Sequence, residues 1–209
     1  MKKEEIAWAV EKQKELAIPL IYSKVWPDCK VYCLDDDQRD PVKMALDVSG
    51  ADKMIKQPNG NVFFLGQRFR THGSSLAKGY DDFTLRKDRP GTNYRAECYK
   101  VVEAVKTGSL VAAYYAYGHV NLKQDGFKKF RILHFPKFIE HWQSGRLLPY
   151  NNPYNTDNSS DFLAWRFNRI PQDCVFWELK HPITTHDQPV LESTSLDAWF
   201  PVTGGSQAE

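Results

Sequence analysis

Followed for hydrophobic and polar periodicity, the chain opens on a helical pattern. Ile6, Ala9, Val10 and Leu16 recur at near-helical intervals among charged residues, which predicts an amphipathic helix over residues 3–17. Pro19 is expected to stop it, and its apolar stripe to cover one face of a sheet. Its acids Glu4, Glu5, Glu11 and Glu15 read as solvated charges, with one carboxylate free to turn toward a site. Residues 30–34 predict a short strand, followed by an acidic loop through Asp40. In GADKMIKQPNGNVFFLGQRFR, residues 50–70, two extended runs flank Asn59-Gly60, the strongest short-range hairpin signal. A type I′ turn needs positive φ at both central residues, which Asn tolerates and Gly adopts freely. The second arm, 62–70, is rich in Val and Phe as strands are.

Further along, residues 71–78 form a polar loop, and 80–86 predict another strand. After a turn at Arg89-Pro90-Gly91, Asn93 caps a helix expected over 94–107, with Gly108 as its stop. Strands follow at 110–120 and 129–135, joined by a turn around Gln124-Asp125-Gly126. Pro136 then starts a short helix with Phe138, Ile139 and Trp142 on one side and Gly145 beyond its end. The Asn- and Pro-rich segment 149–160 reads as a loop, and 161–167 and 175–179 as strands. With no internal repeat, the pattern predicts one domain over 1–183 and a polar tail over 184–209, in which Leu196, Trp199 and Phe200 offer a docking point. The class is α/β, a central mixed β-sheet flanked by helices.

Composition changes this picture only in places. The 209 residues carry a net charge of +2, and the pI is near 8.2, too mild by itself to mark a nucleic-acid binder. The distribution says more, because bases cluster between residues 66 and 147, among them Arg68, Arg70, Lys78, Arg86, Lys87, Lys129 and Arg131. Cys29, Cys33, Cys98 and Cys174 show neither a Cys-x-x-Cys pair nor zinc-finger spacing, and read as buried free thiols. The charged start and the lack of any run of about 18 apolar residues predict a soluble, cytoplasmic protein. Tyr114, Tyr115 and Tyr117 could stack on bases but in a strand read first as packing. The spacing of His119, His134 and His141 implies no metal cluster.

The order of helix, Asp-bearing strand, hairpin, strand with Gln and Arg, and crossing helix resembles the core of the PD-(D/E)xK, or restriction-endonuclease-like, nuclease superfamily. The residues that carry the likeness are SGADKMI, NGNVFFLGQRFR and YDDFTLR, within a stretch of about 45–180. The resemblance implies a restriction-endonuclease-like core and metal-dependent hydrolysis of DNA phosphodiesters. Asp52 would then be the carboxylate ligand of Mg²⁺ or Mn²⁺, Gln67 the second ligand, and Arg68 the cation in place of the family's lysine. Such chemistry needs an oxygen-bound ion to activate water and a cation to steady the phosphate. Arg70, His72, Lys78, Arg86 and Lys87 would follow the DNA backbone, and a homodimer would serve to cut both strands.

The motif departs from the family at its second acid. Gly66, Arg68 and Arg70 share one face of the strand, while Leu65, Gln67 and Phe69 share the other. If the acid-x-lysine register is 66–68, a ligand side chain is missing; if it is 67–69, the cation is. A nuclease fold without catalysis, binding nucleic acid or protein, is the alternative, and residue types alone also allow Asp52 and the two arginines to be solvated strand positions.

Overall fold

The computed structural model describes residues 11–34, 50–70, 81–88, 97–109, 112–152 and 161–187. Helix α1 (Gln13–Tyr22) does not end at Pro19; it runs through it in π-type turns and continues as a short α segment over Ser23–Val25. Proline lacks the N–H that an α ladder needs, and the wider winding takes up that gap. The helix survives because Leu16, Ala17, Leu20 and Ile21 are all 0–1 % exposed against the sheet, on both sides of the proline. Residues 3–10 of the predicted helix lie outside the described residues.

Strands β1 (Lys30–Cys33), β2 (Lys53–Lys56) and β3 (Val62–Arg70) form an antiparallel meander. The hairpin is where the sequence places it, but its turn is not type I′. Gly60 N–H donates to the Gln57 carbonyl at 3.0 Å and Gln57 N–H to that of Asn61 at 2.8 Å. Gly60 has φ +88°, whereas Asn59 is not among the positive-φ residues. Pro58 suits the first central position of a type I turn, and Gly60 closes it as a left-handed bulge, giving a three-residue loop.

After β3 the chain passes through β4 (Asp82–Asp88) and helix α2 (Glu97–Lys106) before β5 (Ala112–Val120), which lies parallel to β3. A parallel neighbour requires such a crossover, since no tight turn can reverse the chain twice. The register sets Gly66 beside Tyr115, Arg68 beside Tyr117 and Arg70 beside His119. Strand β6 (Gly126–His134) returns antiparallel, and α3 (Phe135–Gln143) follows with Pro136 in its first turn and Gly145 past its end. Then come β7 (Tyr150–Asn152), β8 (Asp161–Arg166), β9 (Val175–Glu178) and β10 (Ile183–Thr184).

Two sheets result where one was expected. The main sheet runs β1-β2-β3-β5-β6-β10, with β9 also paired to β6; β4-β8-β7 form a separate three-stranded sheet. Residues 150–152, whose Asn and Pro content reads as loop, pair with β8. The class is α/β with a mixed, mostly antiparallel sheet. One core lies between the main sheet and α1; the other lies between the opposite face, the small sheet, α2 and α3. All four cysteines are free, with Cys98 and Cys174 buried and Cys29 and Cys33 half-buried. Among the described residues no helix is long and apolar enough to cross a membrane.

Phe83 on β4 joins the two sheets, its ring 4.9–5.9 Å from those of Tyr115, Tyr117, Phe138 and Trp165. Phe83→Ala is expected to cost about 3–5 kcal/mol, read as a fall in the urea midpoint.

Candidate functional site

Strand β3 sends alternate side chains to the two cores. Leu65, Gln67 and Phe69 face α1: Leu65 is fully buried there, Phe69 packs on Phe127 and Phe130, and Gln67 Oε1 accepts the Tyr22 hydroxyl at 3.0 Å. Asp52, just ahead of β2, meets Gln67 through the backbone, its Oδ2 accepting the Gln67 N–H at 2.6 Å. The contact between the two predicted ligands is therefore carboxylate to amide N–H, while the Gln67 amide oxygen engages Tyr22. Lys53, next in the chain, is 0 % exposed on β2 opposite Leu65. A buried lysine this close to Asp52 is a cation that motif reading overlooks, because the family pattern looks for it on the following strand.

Gly66 and Arg68 face the other core. A Cβ on Gly66 would lie 2.7 Å from the Gly50 carbonyl oxygen and 2.8 Å from the Tyr115 ring. The space for an acid side chain at 66 is thus filled by Tyr115, brought there by the parallel pairing of β3 with β5. The carboxylate on this face comes instead from α2. Glu97 Oε2 lies 3.1 Å from Arg68 Nη1 and accepts the Arg86 backbone N–H at 3.1 Å, while its Oε1 accepts the Tyr115 hydroxyl. Arg68 also donates to the Thr84 carbonyl at 3.4 Å and lies 4.9 Å from the Phe162 ring centre.

Burial works most strongly against the Arg68 charge, but Glu97 together with Tyr115, Tyr117 and Cys98 outweighs it, and the guanidinium holds its proton more firmly than usual. Burial pushes the Tyr115 phenol well above its ordinary value, Glu97 adds to this, and Asp52 contributes as well. The phenol therefore keeps its proton, and it senses both carboxylates. Burial likewise pushes the Cys98 thiol to about 12, removing it as a nucleophile. Sequence reasoning missed Glu97. The available signal was its place as an acid in the first turn of the helix between β4 and β5.

The remaining predicted contacts are spread along the same face. Arg70 Nη1 lies 3.6 Å from Asp82 Oδ1, and Asp82, fully buried, also accepts the Tyr150 hydroxyl. Lys87 Nζ lies 3.5 Å from Asp161 Oδ2, and the Arg86 guanidinium lies 5.8 Å from the Phe162 ring. His72 and Lys78 lie outside the described residues. Tyr115 and Tyr117 are core residues, and Tyr114 packs among Trp26, Phe63 and Phe176. The fold also joins three metal-capable side chains that no spacing suggested: His141, Asp173 and Cys174 have ligand atoms all within 4.8 Å of one another, whereas Asp52 belongs to no such group among the described residues. His141 Nε2 and Asp173 Oδ2 are 3.1 Å apart, and that contact lowers the Asp173 carboxyl below its ordinary value.

Beside Arg70, His119 is 0 % exposed, and neither ring nitrogen has a hydrogen-bond partner among the described residues. Burial first, then Arg70, lowers its pKa to about 4.

No protein-family model, curated protein or solved structure matches the chain.

Two outcomes are expected. Gly66→Ala, whose methyl group meets backbone on one side and a core ring on the other, should destabilise the protein by about 1–3 kcal/mol in urea unfolding. The neutral form of His119 is favoured by folding, so the unfolded chain takes up its proton first as pH falls. The stability involved is present above the ordinary value of 6.5 and is lost as pH drops toward about 4, roughly 3 kcal/mol in all. Urea midpoints at pH 7.5 and 4.5 should differ less in His119→Gln than in the native chain.

Proposed function

We propose that the chain handles nucleic-acid phosphodiesters at Asp52, as a metal-dependent endonuclease acting on DNA with a restriction-endonuclease-like core. The observation that carries this reading is the Asp52 carboxylate anchored on the β3 backbone at Gln67, with Lys53 next to it in the chain and Arg68 next to Gln67 on β3. The element order supports it too: a helix, an antiparallel three-stranded meander, a crossover helix and a strand parallel to the third.

Mg²⁺ binds through oxygen, often one or two carboxylates with several waters retained, so a cage of three protein ligands is not required. Asp52 and Glu97 are the carboxylates available for such a donor set, Asp52 just ahead of β2 and Glu97 in the first turn of α2. When bound, the ion would supply an activated water and charge screening at the phosphate. The Gln67 N–H holds one Asp52 oxygen in place. Arg68 would turn from Glu97 to a phosphate oxygen, exchanging one anionic partner for another. Of the cations expected along the backbone, Lys87 is 40 % exposed, whereas Arg70 is 16 % exposed and paired with Asp82. Two copies of the chain would be needed to cut both strands at once.

A second reading, a binding module of the same fold without catalysis, draws on the filled space at Gly66 and on the fully partnered Glu97. Plasmid and labelled-oligonucleotide cleavage with Mg²⁺ or Mn²⁺ separates the two. Under the leading reading Asp52→Asn lowers the rate on the order of 10²-fold or more, Glu97→Gln lowers it substantially, and Arg68→Lys more than Lys53→Met. Cleavage that persists in Asp52→Asn would remove the assignment. If the native chain binds DNA with a salt-dependent affinity yet never cuts it, the binding module stands instead.

A further inference from the structure

A cavity of about 340 Å³ opens between β5, β6 and the segment following β9. His119, Tyr117, Phe130 and Phe167 contribute to its walls. Four cations line it, Lys128, Lys129, Arg131 and Lys180, against two carboxylates, Asp81 and Glu178, leaving two positive charges in excess. Arg131 is held in place: its Nη1 donates to the Phe167 carbonyl at 2.8 Å, its Nε to Glu178 at 2.6 Å, and its guanidinium lies 4.6 Å from the Phe167 ring centre. Lys129 is looser, paired with Asp81 at 2.5 Å but 45 % exposed.

His119 points the choice of ligand. It lies beside Lys129 in the β5–β6 register, is fully buried, and has no hydrogen-bond partner on either ring nitrogen among the described residues. A buried polar group normally finds a partner, because leaving one unmade costs the whole desolvation of that group. The volume is at the lower end of that of small-ligand sites, enough for a group of nucleotide size and far too small for a duplex. A surplus of two positive charges matches a dianion.

We propose that this cavity binds a phosphate monoester, with Lys129 and Arg131 facing its charge and the His119 ring behind them in the wall. The inference rests on the cavity and does not depend on cleavage at Asp52. The ligand is either a free nucleoside monophosphate or the phosphorylated end of a nucleic-acid strand, which share this chemistry.

The test is calorimetric titration of the full chain, in chelator, with inorganic phosphate, adenosine 5′-monophosphate and adenosine. The histidine ring resonances are followed by NMR alongside. Saturable binding of the monophosphate but not of adenosine is expected, with a shift of the His119 resonance. Lys129→Ala should weaken binding roughly tenfold, and Asp52→Asn should leave it unchanged, so a failed nuclease reading and a failed cavity reading give different results. Oligonucleotides with a 5′-phosphate or a 5′-hydroxyl then locate the source: preference for the phosphate marks a strand end, and equal weak binding marks the free nucleotide. The proposal is overturned if the folded native chain shows no saturable monophosphate binding, if adenosine binds equally well, or if Lys129→Ala binds as the native chain does.

Discussion

The carboxylate of Glu97 is the point at which four elements meet. It takes the Arg68 guanidinium from β3, the Arg86 N–H from β4 and the Tyr115 hydroxyl from β5, and it belongs to α2 itself. Withdrawing a carboxylate and a guanidinium from water costs several kcal/mol per ion, offset only where the remaining lone pairs and protons are satisfied. Three donors on two oxygens come close to that condition, and the pair keeps some solvent contact, with side chains 18 % and 29 % exposed. Removing Arg68 would leave the partly buried Glu97 charge unmatched, and removing the Tyr115 hydroxyl would leave one of its oxygens without that hydrogen bond. The small sheet is thereby held over the main one by a polar contact as well as by the aromatic core around Phe83.

The fold was legible where local signals were strong. Elements with strong local signals were read correctly: Gly108 ends α2, Pro136 begins α3, and Gly60 turns the hairpin. Pro19 misled because a proline stop is a statement about the α ladder alone, and burial of Leu16, Ala17, Leu20 and Ile21 carries the helix past it in another winding. The small sheet escaped notice for a different reason. The partner of β4 is β8, more than seventy positions away, and alternation along Asp82–Asp88 is the same whichever sheet receives it.

The site divides in the same way. That Asp52 meets Gln67 follows from the hairpin register, which is local; that the meeting is with the backbone N–H does not. Gly66 looked like a deletion because a motif is read along the strand, whereas the occupant of its space, Tyr115, arrives through a parallel pairing made after a long crossover. Glu97 could be found only as an acid in the first turn of the helix between β4 and β5. The missing acid and the unforeseen acid are therefore one structural fact, seen from two strands.

Along this face the main sheet supplies cations and its covering layer supplies acids. Arg68 meets Glu97 of α2, Arg70 meets Asp82 of β4, and Lys129 meets Asp81 just before β4. Each pair bridges the two layers, so the same carboxylates that hold the cover in place also occupy the groups a phosphate would need. A polyanion on this face must compete with them, and it can do so without net loss only by offering each cation an equivalent oxygen at similar distance. The distribution of charge therefore ties the cover to the main sheet through three cation–carboxylate pairs, and an anion reaching this face would have to displace one of them.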